Sequence, residues 1–206
     1  MNTLFTIGHS NHEIGVLVEQ LRRHSVQVVA DVRSRPYSGR FPQFNRSVLK
    51  LALSANGMQY VFLGHELGAR RQEACCYVDG QARYDLVAKT DAFAEGLDRV
   101  RQGLRKYRVA LLCAEGDPLT CHRTILVCRH LRGKGFPIQH ILADGSLESQ
   151  ESAEDRLLAK LGKSQPSLFA THEQLVEQAY DEQGSRIAFR QTNAVWEEEL
   201  EATGRT

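Results

Sequence analysis

The sequence contains no apolar stretch of the roughly 18 residues that a membrane-spanning helix needs. Its first apolar run begins directly after Met1, Asn2 and Thr3, so no basic and apolar leader precedes that run. We therefore expect a cytoplasmic protein with no membrane partner. The five cysteines have no disulfide-framework spacing, and their odd number is typical of free thiols in a reducing compartment.

A large net charge is also missing, because the 206 residues sum to +1. The charges are unevenly placed, however. Residues 1–141 carry 20 Lys and Arg against 12 Asp and Glu, a net charge of +8, whereas residues 142–206 carry 6 against 13, a net charge of −7. A basic body favours an anionic partner. The alternative is that the acidic tail simply docks on the body.

Short apolar runs typical of buried strands alternate with amphipathic helical patterns. This alternation indicates βαβ units and a parallel sheet. We therefore predict an α/β fold, a Rossmann-like three-layer domain with a mostly parallel sheet of about five strands and a C-terminal helical tail. The predicted strands span residues 4–7, 26–30, 59–63, 109–113 and 138–142.

Two parts of the chain are predicted. Residues 1–145 form the α/β domain, and residues 146–206 form an acidic, partly helical extension, with a polar linker over 145–155. Within the domain, residues 69–82 are predicted to be an irregular loop. Asp117 and Pro118 predict the start of a helix, with Asp at the N-cap and Pro at the first helical position.

Polar side chains follow the end of every predicted strand. Ligands of open parallel sheets bind outside the carboxyl ends of the strands, so this placement predicts a site. The alternative is a merely solvated edge. The residues at these ends are His9, Ser10, Asp31, Arg33, Arg35, His65, Glu66, Cys113, Glu115, Cys121, His122, Arg123 and Asp144.

Two arginines near the second strand suit an anion. Arg33 and Arg35 share a face with Asp31 in an extended chain, and two guanidiniums there favour phosphate or carboxylate recognition. With Arg123, Ser10 and the helix amides they predict a site for a small anionic or nucleotide-like ligand. The alternative is that Asp31 pairs with one arginine and braces the turn.

Three roles remain open for Cys121. It can be a nucleophilic or redox thiolate at a helix start, a ligand in a zinc-type site with Cys113, His122, His9 or His65, or a small buried core residue. The phosphatase or rhodanese loop, with an arginine six residues after a cysteine, is missing, since Cys121 is followed at that distance by Val127.

Several motifs together resemble the domain of unknown function 488 family. They are T-I-G-H-S at 6–10, D-V-R-x-x-P at 31–36, F-L-G-x-x-L-G at 62–68, C-A-E-x-D-P-x-x-C-H-R at 113–123 and H-I-L-A-D-G at 140–145. The resemblance implies a Rossmann-like α/β domain, found mainly in bacteria and archaea, without an established general activity. It implies a common site formed by His9, Ser10, Asp31, Arg33, Glu115, Cys121, His122 and Arg123.

Two stretches point to macromolecular partners. Arg35, Arg40 and Arg46 are interleaved with aromatic residues, a pattern that can bind DNA or RNA, although such aromatics also pin a loop to its own body. The peptide at 165–169, with Gln165, Leu168 and Phe169, is similar to the short motif by which bacterial proteins dock on the replication sliding clamp. The alternative is that this peptide packs the tail on the body.

Our sequence-based hypothesis is an anion-binding site at the carboxyl edge of the sheet, in an enzyme that acts on nucleotide or nucleic acid. Cys121 is the predicted reactive thiol, His122 or His9 the proton shuttle, and Glu115 a base or the residue that orients Arg123. We assign no metal or cofactor from the sequence. The alternative hypothesis is a non-catalytic nucleic-acid binding or accessory protein.

Overall fold

The structure is a computed structural model that describes residues 2–165 and 170–191. Its strands are β1 (Leu4–Gly8), β2 (Val28–Asp31), β3 (Gln59–Phe62), β4 (Tyr77–Val78), β5 (Gln81–Ala82), β6 (Val109–Cys113), β7 (Ile138–Ile141) and β8 (Leu147–Ser149). Its α-helices are α1 (Ile14–Arg23), α2 (Arg46–Ala55), α3 (Gly64–Leu67), α4 (Tyr84–Val87), α5 (Asp91–Leu104), α6 (Arg129–Leu131), α7 (Gln150–Lys160) and α8 (His172–Ile187). Three short 3₁₀ turns and one π-helical segment complete it, at Pro42–Phe44, Ala74–Cys76, Pro118–Thr120 and Arg123–Cys128.

Six strands form the main sheet in the order β3-β2-β6-β1-β7-β8. All neighbours in it pair in parallel except β7 and β8, which are antiparallel. The prediction of an α/β fold with a mostly parallel sheet is confirmed. Strand β6 lies between β1 and β2, so its carboxyl end is at the centre of the edge where we predicted a site.

The two faces of the sheet bury different apolar clusters. Strand side chains alternate between the faces. Leu4, Val109 and Leu111 face α5 and the segment after residue 118, whereas Phe5 and Ala110 face α1 and α2. The result is three layers, and the alternation places Cys113 on the same face as Val109 and Leu111.

Three local predictions are wrong. The predicted linker at 145–155 instead holds β8 and the first half of α7, and the predicted loop at 69–82 holds a 3₁₀ turn and the β4–β5 ribbon. The helix predicted to begin at Pro118 is interrupted, because Cys121 is extended with φ −130° and ψ 139°. Asp117 does cap the first turn, because its side chain accepts a hydrogen bond from the Leu119 amide. Beyond this turn, the tertiary packing of the buried residues Cys121 and His122 overrides helix propensity.

The C-terminal helices pack against the body. Leu157 and Tyr180 are buried in the same cluster as the α5 face of the sheet. Arg129 forms ion pairs with Glu177 at 2.5 Å and with Asp181 at 2.7 Å, so acidic tail residues neutralise basic body residues here. The division after residue 145 stays a prediction, although β8 beyond it continues the sheet.

No helix within the described ranges is long and apolar enough to cross a membrane. Of the clamp-like peptide, Leu168 and Phe169 lie outside the described residues. That predicted partner contact therefore stays a prediction.

Gly8, the last residue of β1, is where the loop after β6 crosses the sheet edge. A Cβ at Gly8 would lie 1.7 Å from the carbonyl oxygen of Glu115, a distance far too short for two non-bonded atoms. Glycine here is therefore required by the close approach of two chain segments.

We predict that Gly8→Ala lowers the free energy of unfolding by about 3 kcal/mol, because the loop at Glu115 must move. Chemical denaturation measures this. Gly15→Ala on α1 is the matched control, since nothing lies within 4 Å of its added Cβ, and there we expect a gain of about 0.5 kcal/mol from reduced backbone entropy in the unfolded chain. Equal stability of the two variants would contradict the prediction.

Candidate functional site

Four side chains that could bind a metal or carry out acid–base chemistry meet at the carboxyl end of β6. The ligating atoms of Cys113, Glu115, Cys121 and His122 all lie within 4.8 Å of one another. Cys113, Cys121 and His122 are buried, whereas residue Glu115 is exposed. The sequence had predicted three of these residues for catalysis and named Cys113 only as a candidate metal ligand, and the structure brings all four together.

The extended backbone at Cys121 builds this cluster. Because Pro118–Thr120 forms a single turn and the next helical segment begins at Arg123, Cys121 and His122 lie in the short link between two helical pieces. Cys113 Sγ lies 3.1 Å from Glu115 Oε2 and 3.5 Å from His122 Nδ1. The π-helical geometry of Arg123–Cys128 is of a kind often found at functional sites.

His122 is fixed by its second nitrogen. Its Nε2 lies 3.0 Å from the carbonyl oxygen of Val32, which can only accept, so Nε2 carries a proton. Nδ1 is thereby aimed at the sulfur of Cys113. The residue after β2 thus orients a side chain of the cluster after β6.

Electrostatics distinguishes the two thiols. Burial alone would raise the pKa of Cys121, but the hydrogen bond from Cys113 and the charges of Arg123 and His122 bring it well below the usual value. The pKa of Cys113 is raised, first by burial and then by Cys121. Burial would lower the pKa of His122, but Cys121 and Glu115 raise it. These opposite shifts favour a thiolate at Cys121 over one at Cys113.

Arg123 is completely buried and supports the loop. Its guanidinium donates to the carbonyl oxygen of Glu115 at 2.5 Å, to that of Gly116 at 3.0 Å, and to Thr6 Oγ1 at 3.3 Å. All three acceptors are groups of the protein, so these N–H groups are already engaged. Arg123 is also not among the residues that line the cleft above the four-residue cluster. Its predicted role in anion binding stays a prediction without support from this geometry.

Asp31 and Arg33 form the buried ion pair that we considered as the alternative to a shared anion site. Arg33 donates to the two carboxylate oxygens at 2.9 and 2.6 Å, and Tyr60 donates to the same carboxylate at 2.8 Å. Arg33 also donates to the carbonyl oxygen of Phe44. The pair braces the turn, while Arg33 still reaches the cleft.

His9 is held neutral between Arg33 and the backbone. Its Nδ1 donates to the Ser10 carbonyl oxygen at 2.9 Å, its Nε2 lies 3.3 Å from Arg33 Nη1, and its ring stacks on Phe44 with centroids 4.2 Å apart. Burial lowers the pKa of His9 to about 4, with the charge of Arg33 adding to the effect and the hydrogen bond to Ser10 opposing it.

A cleft of about 980 Å³ opens above the cluster. Cys113, Glu115 and His122 line it, but Cys121, 1% exposed, does not. Four arginines line it as well, and among the described residues that line it Glu115 is the single carboxylate. The arginines are Arg33, Arg35, Arg40 and Arg70.

Other predicted residues are placed differently. His65 lies on α3 with its ring against Phe62, outside the cluster. Arg46 lies over the ring of Phe62, 4.6 Å from the centroid, and does not line the cleft. Asp144 is bonded to Ser146 in its own turn.

The cleft residues that sequence reasoning did not identify include Arg70, Tyr84 and Phe189. Arg70 lies two residues after the end of the F-L-G-x-x-L-G motif, which was a usable signal. Tyr84 lies at the start of α4 and Phe189 beyond the end of α8, and both are far in sequence from the ends of the main-sheet strands, so only the tertiary fold brings them here.

The family model described as "Domain of unknown function DUF488" matches residues 13–129. This range covers strands β2, β3 and β6 of the main sheet and both cysteines of the cluster. No curated protein and no solved structure matches the chain.

We predict that the protein loses stability in acid through His9. The histidine titrates at its ordinary pKa of 6.5 when unfolded and at about 4 when folded. Its contribution is therefore complete above pH 6.5 and is lost as the pH falls towards 4, by about 3 kcal/mol in total.

The measurement compares unfolding free energies of the wild type and His9→Gln across this pH range. The advantage of the wild type should shrink as the pH falls. His172→Gln, at an exposed position of α8, should parallel the wild type. A constant difference between wild type and His9→Gln would show that His9 does not titrate as expected.

Proposed function

The chain belongs to the DUF488 family, and we propose that this protein binds a small, nucleotide-like ligand through its anionic groups in the cleft at the carboxyl edge of the sheet. The observation that carries this proposal is the charge of the cleft wall. Arg40 and Arg70 line the cleft, and among the described residues that line it Glu115 supplies the single carboxylate. Arg33 lines it as well but is paired with Asp31. A surplus of guanidiniums in a concave site favours phosphate or carboxylate.

Two of the arginines are held ready for an anion. The guanidinium of Arg40 lies 5.3 Å from the ring centroid of Phe41, and that of Arg70 lies 4.5 Å from the ring centroid of Phe189. A guanidinium stacked on an aromatic face keeps its in-plane N–H groups available. Because these contacts already restrict the two arginine side chains, ligand binding causes a smaller loss of side-chain entropy.

The size and the other walls of the cleft fit a nucleotide. Its volume of about 980 Å³ is at the upper end of the range of small-molecule sites. Tyr37, which is 65% exposed, lines it and offers a face on which a planar base can stack, whereas Tyr84 lines it as a buried residue. The ligand class supported best is therefore an anion with an aromatic part.

Catalysis on this ligand is the extension of the proposal. Glu115 and His122 border the cleft, so a ligand bound by Arg40 and Arg70 lies beside groups that can transfer protons. The predicted nucleophilic role of Cys121 receives less support, because its sulfur is buried and does not line the cleft.

We expect the double variant Arg40→Gln/Arg70→Gln to weaken binding of nucleoside monophosphates at least about tenfold, since each charged hydrogen bond contributes about 1.5–3 kcal/mol. Isothermal titration calorimetry measures this. Arg22→Gln/Arg105→Gln changes the net charge equally at exposed positions outside the cleft and should bind like the wild type. Equal weakening by both pairs, or no binding of phosphate or any nucleoside monophosphate by the wild type, would overturn the proposal.

Nucleic-acid binding is a second candidate function because Tyr37 is exposed between Arg35 and Arg40 along the chain. If this surface binds a single strand, Tyr37→Ala and Arg40→Gln should both reduce its affinity, and the affinity of the wild type should fall steeply with salt. Fluorescence anisotropy with a labelled oligonucleotide measures both. Binding of mononucleotides without binding of oligonucleotides at low salt would exclude this candidate.

A further inference from the structure

We propose that Cys113, Cys121, His122 and Glu115 form a binding site for a zinc-type transition-metal ion. The donor set of two sulfurs, one imidazole nitrogen and one carboxylate oxygen is the kind that Zn²⁺ prefers in four-coordinate sites. This inference does not depend on the identity of the ligand in the cleft. The sequence left metal binding as one of three possible roles of Cys121 and led us to assign no metal. The structure favours the metal-binding role.

The separations of the donor atoms support it. With bond lengths of about 2.0–2.3 Å, neighbouring ligand atoms of a tetrahedral zinc ion lie roughly 3.3–3.8 Å apart. Cys113 Sγ lies 3.5 Å from His122 Nδ1 and 3.1 Å from Glu115 Oε2, and all four donor atoms fall within 4.8 Å of one another. Donors from the end of β6, the loop after it and the link before the π-helical segment therefore converge on one point.

The surroundings of the donors support it independently. A metal-bound histidine almost always donates its other ring N–H to a carbonyl or carboxylate oxygen. His122 does this with Nε2, at 3.0 Å from the Val32 carbonyl oxygen, so Nδ1 faces the cluster. The backbone N–H of Arg123 points at Cys121 Sγ at 3.4 Å, which stabilises a sulfur that carries negative charge.

Charge balance favours an ion as well. Two thiolates and one carboxylate carry three negative charges, and a divalent ion leaves one of these uncompensated. The buried guanidinium of Arg123 supplies one positive charge nearby. Its hydrogen bonds go to uncharged acceptors, namely the backbone carbonyl oxygens of Glu115 and Gly116 and the hydroxyl of Thr6. A buried charge without a compensating charge is costly, so the site and Arg123 stabilise each other.

Plain core packing does not explain the cluster. Cys113, Cys121 and Cys128 are all buried in the same apolar cluster, but only Cys113 and Cys121 lie beside an imidazole and a carboxylate, whereas Cys128 of the π-helical segment does not join the four donors. Three of the four donors line the cleft, with Glu115 the most exposed. The ion would therefore lie at the wall of the cleft, with the four protein donors completing its tetrahedral coordination.

Metal content of the purified, untagged full chain is the first test. After incubation with Zn²⁺ and gel filtration, mass spectrometry should find close to one zinc per wild-type chain. Cys113→Ser and Cys121→Ser should each weaken zinc binding at least about tenfold in a chelator competition. Cys75→Ser and Cys128→Ala are the matched controls and should retain the metal.

Cobalt provides a measurement on the wild type alone, in case the serine variants do not fold. Replacing zinc with Co²⁺ should produce thiolate-to-cobalt charge-transfer absorption and the intense visible bands of a tetrahedral ion. Absence of stoichiometric zinc and of this spectrum in the wild type would overturn the proposal. So would unchanged zinc affinity in both serine variants, or equal loss in the Cys128→Ala control. Failure of the nucleotide titrations would leave this result unaffected, so the two proposals can fail separately.

Discussion

The buried guanidinium of Arg123 is the constraint on which the edge of the sheet depends. Arg123 directly follows Cys121 and His122 in the chain, and its guanidinium donates to the carbonyl oxygens of Glu115 and Gly116. The loop after β6 is thereby drawn over the end of β1, close enough that only glycine fits at residue 8. Because one side chain joins the loop to the link after the 3₁₀ turn, the donors on both segments keep a fixed separation.

This arrangement separates two tasks that the sequence had suggested for one set of residues. The groups closest to the sheet, Asp31, Arg33 and Arg123, are occupied by internal partners and hold the site together. Arg40 and Arg70 also line the cleft, and they come from loops and lie over aromatic rings. A rigid inner set and a more exposed outer set are the usual division between positioning and recognition.

Much of the fold was predictable because it depends on short-range patterns. Alternation along Val109, Leu111 and Cys113 places that sulfur on one face of a buried strand, and the strand-end rule brings separate motifs to one edge. The direction of Arg123 was not predictable, because its acceptors are carbonyl groups whose positions exist only in the folded loop. Strand β8 was missed for a related reason, since Leu147–Ser149 is short and polar and only pairing with β7 makes it a strand.

The acidic tail weakens the electrostatic field that a distant ion experiences. Glu173, Glu177 and Asp181 pair with Arg129 and Arg132, so much of the positive charge of that face is cancelled locally. Among the described residues of the tail, Ile187 and Phe189 line the cleft, and neither side chain is charged. Fields in solution decay over about 8 Å at physiological ionic strength. The nearly neutral chain therefore exerts little long-range steering, so the anionic ligand that we propose would reach the mouth of the cleft by random encounter.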